Sequence, residues 1–219
     1  EMLNLLQEKQ VCIVNAFSQA DLDVFTTGFY QSKITETVIF RTAASIVPGL
    51  AGLHVKPPLQ KNDFELIGKG GVVAVGSYVP KTTRQLEFLQ KNYLVEYVKM
   101  QVEKLLDENG FQQEIKRVSK KINLNLEKDQ VVVVFTSRQL ITGKDADESL
   151  QIVNKISAGM VEVMRRIKIR PKFFIAKGGI TSSDIVTKSF GVKRAKVLGQ
   201  VIPGVQIGRA SCRERVCVG

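Results

Sequence analysis

Residues 174–184 read Phe-Ile-Ala-Lys-Gly-Gly-Ile-Thr-Ser-Ser-Asp, a run whose residue types could hold a phosphate. An apolar stretch ends at Lys177 and a Gly-Gly pair. Three hydroxyl residues and an aspartate follow, and a periodic segment runs from Ile185 to Phe190. That order predicts a strand, a tight turn and a helix start. Gly178 and Gly179 can adopt backbone angles closed to other residues and let a ligand approach the main chain. Thr181, Ser182 and Ser183 are natural helix caps. The amides of a helix N-terminus attract anions, phosphate foremost, and Lys177 adds a point charge. The same pair of glycines would also serve as a plain strand-to-helix turn, and Lys177 as a solvated lysine.

Two more predicted strand ends carry polar chemistry. The run Gly-Val-Val-Ala-Val at 71–75 leads into Gly76-Ser77, and the run ending at Phe135 leads into Thr136-Ser137-Arg138. Gly76 would permit close approach of a ligand. The Ser77 hydroxyl could bond a phosphate or a ribose, or cap the following turn. Arg138 could grip phosphate oxygens through its planar fork, or pair with Asp145 or Asp147. In open α/β sheets ligands bind beyond the carboxyl ends of the strands, so three such ends on one sheet could line a single crevice. The chain has no Gly-x-x-x-x-Gly-Lys-Ser/Thr and no Gly-x-Gly-x-x-Gly, so neither common phosphate-binding signature supports a site.

The elements that would position these residues alternate. Strands are predicted at 11–15, 37–40, 71–75, 130–136, 172–176 and 195–201. Helices are predicted at 21–30 after a Ser18 cap, 42–52, 83–89, 97–106, 114–122, 147–167 and 183–190, with a turn at Asn109-Gly110. The helix at 147–167 is the clearest, with Leu150, Val153, Ile156, Met160, Val163 and Ile167 at helical spacing. Strands separated by helices imply an α/β fold with a largely parallel sheet flanked by helices. Adjacent prolines in Val55-Lys-Pro-Pro-Leu59 break regular structure and mark a domain boundary near residue 60.

No apolar stretch approaches the roughly 20 residues of a membrane helix, and no basic-then-apolar leader opens the chain. Glu1 ahead of Met2 points to a start inside a longer reading frame. Cys12, Cys212 and Cys217 form neither a metal spacing nor a disulfide framework, which fits a reducing cytoplasm. His54, the single histidine, lies beside the proline break, where a surface or interdomain role is expected. Residues 207–216 lack apolar periodicity and read as a translated sequencing-library adapter, so 207–219 is set aside as a non-native tail. Removing its Arg209, Arg213 and Arg215 together with Glu214 lowers the formal net charge from +11 to +9. That charge raises nucleic acid as a partner. The lysines and arginines at 116–121 and 165–170 look scattered and lack interleaved aromatics, so solvated helix faces are the plainer reading.

Several motifs in order carry a resemblance: Arg41-Thr-Ala-Ala-Ser45, Gly76-Ser77 with Thr83-Arg84-Gln85, Thr136-Ser-Arg138, Lys177-Gly-Gly-Ile-Thr-Ser-Ser-Asp184 and Leu198-Gly-Gln-Val-Ile-Pro-Gly204. Together they resemble the four-carbon acid sugar kinase family, which includes kinases of threonate, erythronate and 3-oxo-tetronate, across residues 11–205. The resemblance implies two α/β domains, one for the sugar acid and one for ATP, with the reaction between them. Residues 1–60 then correspond to the end of the first domain and 61–206 to most of the second. It implies ATP contacts at Ser77, Gly178, Gly179, Ile180 and Thr181, with Mg²⁺ arriving on the nucleotide. The implied partners are a four-carbon sugar acid and ATP, with no nucleic acid and no membrane; a homo-oligomer stays open. Two family motifs have no counterpart here: an N-terminal Asp-Asp-x-Thr-Gly and a late Gly-Asn-x-Gly. The expectation is therefore an interior fragment without a catalytic base, inactive alone. The alternative is a basic α/β module that binds nucleic acid.

Overall fold

The computed structural model describes residues 11–32, 38–53, 56–64, 66–77, 79–137, 141–202, 205–210 and 217–218. The chain divides into two compact units, Glu1–Pro57 and Pro58–Gly219.

The first unit is built on helix α1 (Gln19–Gln31). Ser18 starts it with a reciprocal cap. The Ser18 hydroxyl accepts from the Asp21 amide, and the Asp21 carboxylate accepts from the Ser18 amide at 2.8 Å. Phe29 gathers Phe25, Tyr30 and Phe40 around it. The strand expected at 11–15 is absent. Residues 11–16 have no regular structure, and Val11 and Ile13 are exposed. Of the strand expected at 37–40, residues 38–40 are also irregular, and residue 37 lies outside the described residues. Among the described residues neither run has a ladder partner, and an isolated strand is not stable in water. The helix expected at 42–52 shrinks to a 3₁₀ turn (Ala44–Ile46) and helix α2 (Val47–Leu50), interrupted by Pro48, Gly49 and Gly52.

The second unit holds one sheet. Its strands are β1 (Gly71–Val75), β2 (Glu96–Met100), β3 (Val131–Thr136), β4 (Phe173–Lys177), β5 (Ala195–Ile202), β6 (Val205–Ala210) and β7 (Cys217–Val218), in spatial order β2-β3-β1-β4-β7-β6-β5. β1 to β4 are mutually parallel, as the alternation of strand and helix predicts. β5 and β6 form an antiparallel hairpin that runs into the segment set aside above as adapter-derived. β2 overlaps the start of the helix predicted at 97–106. Its true period is two: Val98 and Met100 face one side, Tyr97 the other.

The helices are α3 (Pro80–Asn92), α4 (Val102–Leu106), α5 (Glu108–Glu127), α6 (Ala146–Arg165) and α7 (Gly179–Asp184), the last continued by a π-helical turn (Ile185–Ser189). The predicted Asn109-Gly110 turn is the first turn of α5, capped by Asp107. α3 packs Leu86 and Leu89 on one face of the sheet, against Val73, Val75, Val133 and Phe135. α4, α5, α6 and the segment after β4 bury the other face, where Val72, Ala74, Val132, Val134 and Phe174 point. The crossover from β1 to β2 runs one way across the sheet over the α3 face. Those from β2 to β3 and β3 to β4 run the other way over the opposite face, as crossovers of a single hand require.

Candidate functional site

Because α3 is, among the described residues, the helix that covers its face, β1 differs from both its neighbours. The chain leaves β1 toward α3, but leaves β3 and β4 toward the opposite face. Adjacent loops that part in this way open a crevice at the carboxyl edge of a sheet. The register makes the ends level: Val75 pairs with Phe135 on one side and Lys177 on the other. The Gly76 amide continues the ladder by donating to the Lys177 carbonyl at 3.2 Å.

Four features sit at this point. Gly178 has φ +119°, a conformation that L side chains rarely adopt, and a Cβ there would come 3.2 Å from Ser77 Cβ. Ser77 and Gly178 are thus in contact across the two strand ends, both half-buried. Thr181 lies over Gly76: a Cβ on Gly76 would meet Thr181 Oγ1 at 2.3 Å. The space left by the missing Gly76 side chain is therefore filled by Thr181, where the sequence suggested a ligand. Gly179 is exposed, and a Cβ on it would meet nothing within 4 Å. Lys177 is exposed beside it.

The helix after the glycines starts four residues earlier than predicted. Gly178 is the N-cap and no side chain caps the first turn, so Thr181, Ser182 and Ser183 lie inside α7. Ile180 belongs to that first turn. The Ser182 amide donates to the Gly178 carbonyl at 2.8 Å, and the Ser182 hydroxyl to the Gly179 carbonyl at 3.0 Å. At the other end of α7, Asp184 takes the Ser157 hydroxyl of α6 at 2.8 Å and the Lys188 ammonium at 2.8 Å. The Lys188 and Ser157 hydrogen bonds hold the Asp184 carboxyl below the usual carboxylate range. Neither Ser157 nor Lys188 stood out in the sequence, although a serine inside the apolar stripe of α6 was the available signal.

The third strand end behaves differently. Thr136 and Ser137 are buried. The Ser137 amide donates to the Met100 carbonyl at 2.9 Å, and its hydroxyl accepts from the Val102 amide at 3.1 Å. Ser137 thus ties the end of β3 to the junction of β2 and α4. Arg138 lies outside the described residues, as does His54. The same junction is braced by Glu114 of α5, which is 1% exposed. Glu114 accepts from the Gln101 amide at 2.7 Å and pairs with Arg117 at 2.6 Å. Burial pushes its carboxyl up, but the Arg117 hydrogen bonds, the Gln101 amide and the charges of Arg117 and Lys104 outweigh that and leave it below the usual range.

The segment after α6 packs against α5 through residues that flank its basic stretch. Asn123 of α5 donates to the Arg166 carbonyl at 3.0 Å and accepts from the Lys168 amide at 2.8 Å. Arg166 reaches back to Gln112 at 2.9 Å. Several of these cations are paired within the fold: Arg117 with Glu114, Lys121 with Glu96, and Arg165 and Arg166 with Glu162. Lys116, Lys120 and Lys168 are exposed. Among the described residues no helix is long and apolar enough to cross a membrane.

The family model of a nucleotide-binding C-terminal domain matches residues 72–217. The chain is 25% identical over 213 residues to a D-erythronate kinase of Heliobacterium modesticaldum, covering 92% of this chain and 47% of that protein. Among solved structures, one from Salmonella typhimurium LT2 matches with TM-score 0.65 and 16% identity over 98% of this chain and 50% of that chain. Haemophilus influenzae protein HI1011, of the DUF1537 family, matches with TM-score 0.60 and 19% identity over 97% and 50%. The chain thus spans about half the length of these relatives.

Proposed function

Since the chain belongs to the four-carbon acid sugar kinase family, through its nucleotide-binding C-terminal domain, we propose that it forms the ATP-binding part of a cytoplasmic enzyme. That enzyme transfers the γ-phosphoryl group of ATP to a hydroxyl of a four-carbon sugar acid such as erythronate, threonate or 3-oxo-tetronate. The observation that carries the proposal is the meeting of Ser77 with Gly178 and of Thr181 with Gly76 at the switch point beside β1. Phosphoryl transfer depends mainly on positioning and on neutralising charge. In this reading the amides of Gly179, Ile180 and Thr181 cradle phosphate oxygens, and Gly178 supplies the positive φ that turns them toward the crevice. Lys177 adds a cation at the rim, and Ser77 holds the nucleotide from the neighbouring strand. Gly179 fits this role because the space above it is open. Mg²⁺ would be held by the phosphates and water, as that ion prefers, and would offset their charge. The domain that carries the sugar acid precedes residue 61 in this reading, with 1–60 as its end and 61–206 as the nucleotide domain.

Calorimetric titration with MgATP tests the site. Gly179→Asp places a carboxylate in open space on the first turn, where it leaves the fold intact and repels phosphate; MgATP binding should be lost. Unchanged affinity would sink the loop assignment. No phosphorylation of threonate or erythronate is expected from residues 1–219, and measurable turnover would overturn the assignment of the acceptor site to a separate domain. The contacts of Arg166 and Lys168 with Gln112 and Asn123 of α5, beside exposed Lys116 and Lys120, favour a second reading, a surface for nucleic acid. It requires binding to duplex DNA or to RNA that falls steeply with salt; salt-insensitive or absent binding removes it.

A further inference from the structure

α7 carries the glycine loop at its start, but it is only six residues long. The segment that follows buries Ile185 and Phe190 in the core. Apolar burial sets which face of the helix points inward, but being non-directional it leaves the fine rotation and axial position loosely fixed. Directional contacts come from α6 at intervals of four residues. The Ser157 hydroxyl donates to Asp184 Oδ2 at 2.8 Å. The Val161 carbonyl accepts from the Ser189 hydroxyl at 2.9 Å. The Arg165 guanidinium donates through Nε and Nη2 to the Lys188 carbonyl, at 3.0 and 2.9 Å. One turn of α6 thus serves each contact.

Among these, only the Ser157–Asp184 bond lies on α7 itself, about 7.5 Å along the axis from Gly179 at the usual rise per residue. Ser157 is 6% exposed and sits beside Ile156 and Met160 on the core-facing side of α6. A hydroxyl there is costly unless it is bonded. It bonds across to Asp184. The second carboxylate oxygen, Oδ1, takes Lys188 Nζ, so the carboxylate is held from two directions.

We propose that Asp184 is a positioning residue for the nucleotide. Held by Ser157, it sets the rotation of α7 and hence the direction of the Gly179, Ile180 and Thr181 amides. This rests on the reading of residues 177–181 as the phosphate site. The test measures MgATP affinity of the 219-residue chain beside thermal unfolding without nucleotide. Loss of one positioning hydrogen bond, worth about 1.4 kcal/mol, predicts that Ser157→Ala and Asp184→Ala each raise Kd about tenfold. The double variant should be no weaker than the worse single, because both remove one contact. Asp184→Asn keeps an acceptor for Ser157 and should restore Kd to within about threefold of the parent. A bond that only stabilises the fold would lower Tm and leave Kd unmoved. Kd within about twofold of the parent in Ser157→Ala, or additive effects in the double variant, overturns the inference. Where Asp184→Ala does not fold, Ser157→Ala and Asp184→Asn decide it. Gly179→Asp separates the two layers: if it also leaves Kd unchanged, or if the parent does not bind MgATP, the phosphate-site reading is what fails.

Discussion

Gly76 admits two explanations that one substitution separates. In the first, a nucleotide approaches the backbone there, and a side chain would block only the ligand. In the second, Thr181 occupies the space and a side chain would damage the fold. Gly76→Ala would place a Cβ 2.3 Å from Thr181 Oγ1, 2.7 Å from Cγ2 and 2.9 Å from Cβ. Carbon contacts are comfortable at about 3.5–4.0 Å, so the overlap is about 1 Å. Rotating χ1 of Thr181 moves Oγ1 and Cγ2 but leaves Cβ in place, so the backbone of α7 must retreat. Overpacking of this kind costs about 1–3 kcal/mol. For a domain of this size each kcal/mol lowers Tm by about 2–4 °C, which predicts a fall of about 2–12 °C. Thermal unfolding followed by circular dichroism, without nucleotide, reads it. Adding Thr181→Ala removes the two shortest contacts and leaves the one at 2.9 Å, so the double variant should recover about half the loss. A Tm for Gly76→Ala within about 1 °C of the parent refutes the packing argument and returns Gly76 to the ligand.

Three further outcomes follow from the same contacts. Glu114→Ala removes a buried carboxylate and strands the Gln101 amide, at a cost of about 2–3 kcal/mol read by urea unfolding; a loss below about 0.5 kcal/mol would show that the β2–α4 junction does not depend on it. Asp184 has a folded pKa below its unfolded value, so its contribution is fully present above the unfolded pKa and is lost as pH falls through the folded one. Between about pH 5 and pH 2 Asp184→Asn should therefore lose stability less steeply than the parent, and parallel curves would contradict the assignment. Ending the chain at Gln206 removes β7 and all of β6 past Gln206, but no residue of the two core clusters found among the described residues. Tm should then change by less than about 2 °C, and a larger drop would make 207–219 part of the native fold.

The strands that build the crevice were legible because each is a short apolar run between turn signals, and their common direction followed from the helices between them. Gly178 was legible as well, since its place between a strand and a helix calls for unusual angles. What each glycine is for was not. Gly76 and Gly179 look alike in sequence, yet one is filled by Thr181 and the other faces open space. That difference arises from the lateral order of strands, which local sequence does not encode.

Ser137 shows how one misread element propagates. Tyr97 and Met100 suit a helix about as well as a strand, and β2 lies at the sheet edge with Lys99 exposed, so its alternation is weak. Taken as a helix, it leaves the end of β3 uncovered, and Thr136-Ser137 becomes a polar wall of the crevice. Placed beside β3, it brings Met100 and Val102 to that end, where the Ser137 amide donates to Met100 and its hydroxyl accepts from Val102. The polar residues at a strand end therefore face ligand or fold according to what the neighbouring strand does next. On the β4 side of β1 the neighbour turns into a helix led by glycines, and the space stays open at Gly179. At the end of β3, Ser137 is tied instead to the β2–α4 junction. Of the three strand ends that the sequence drew into one crevice, the described residues bring together those of β1 and β4.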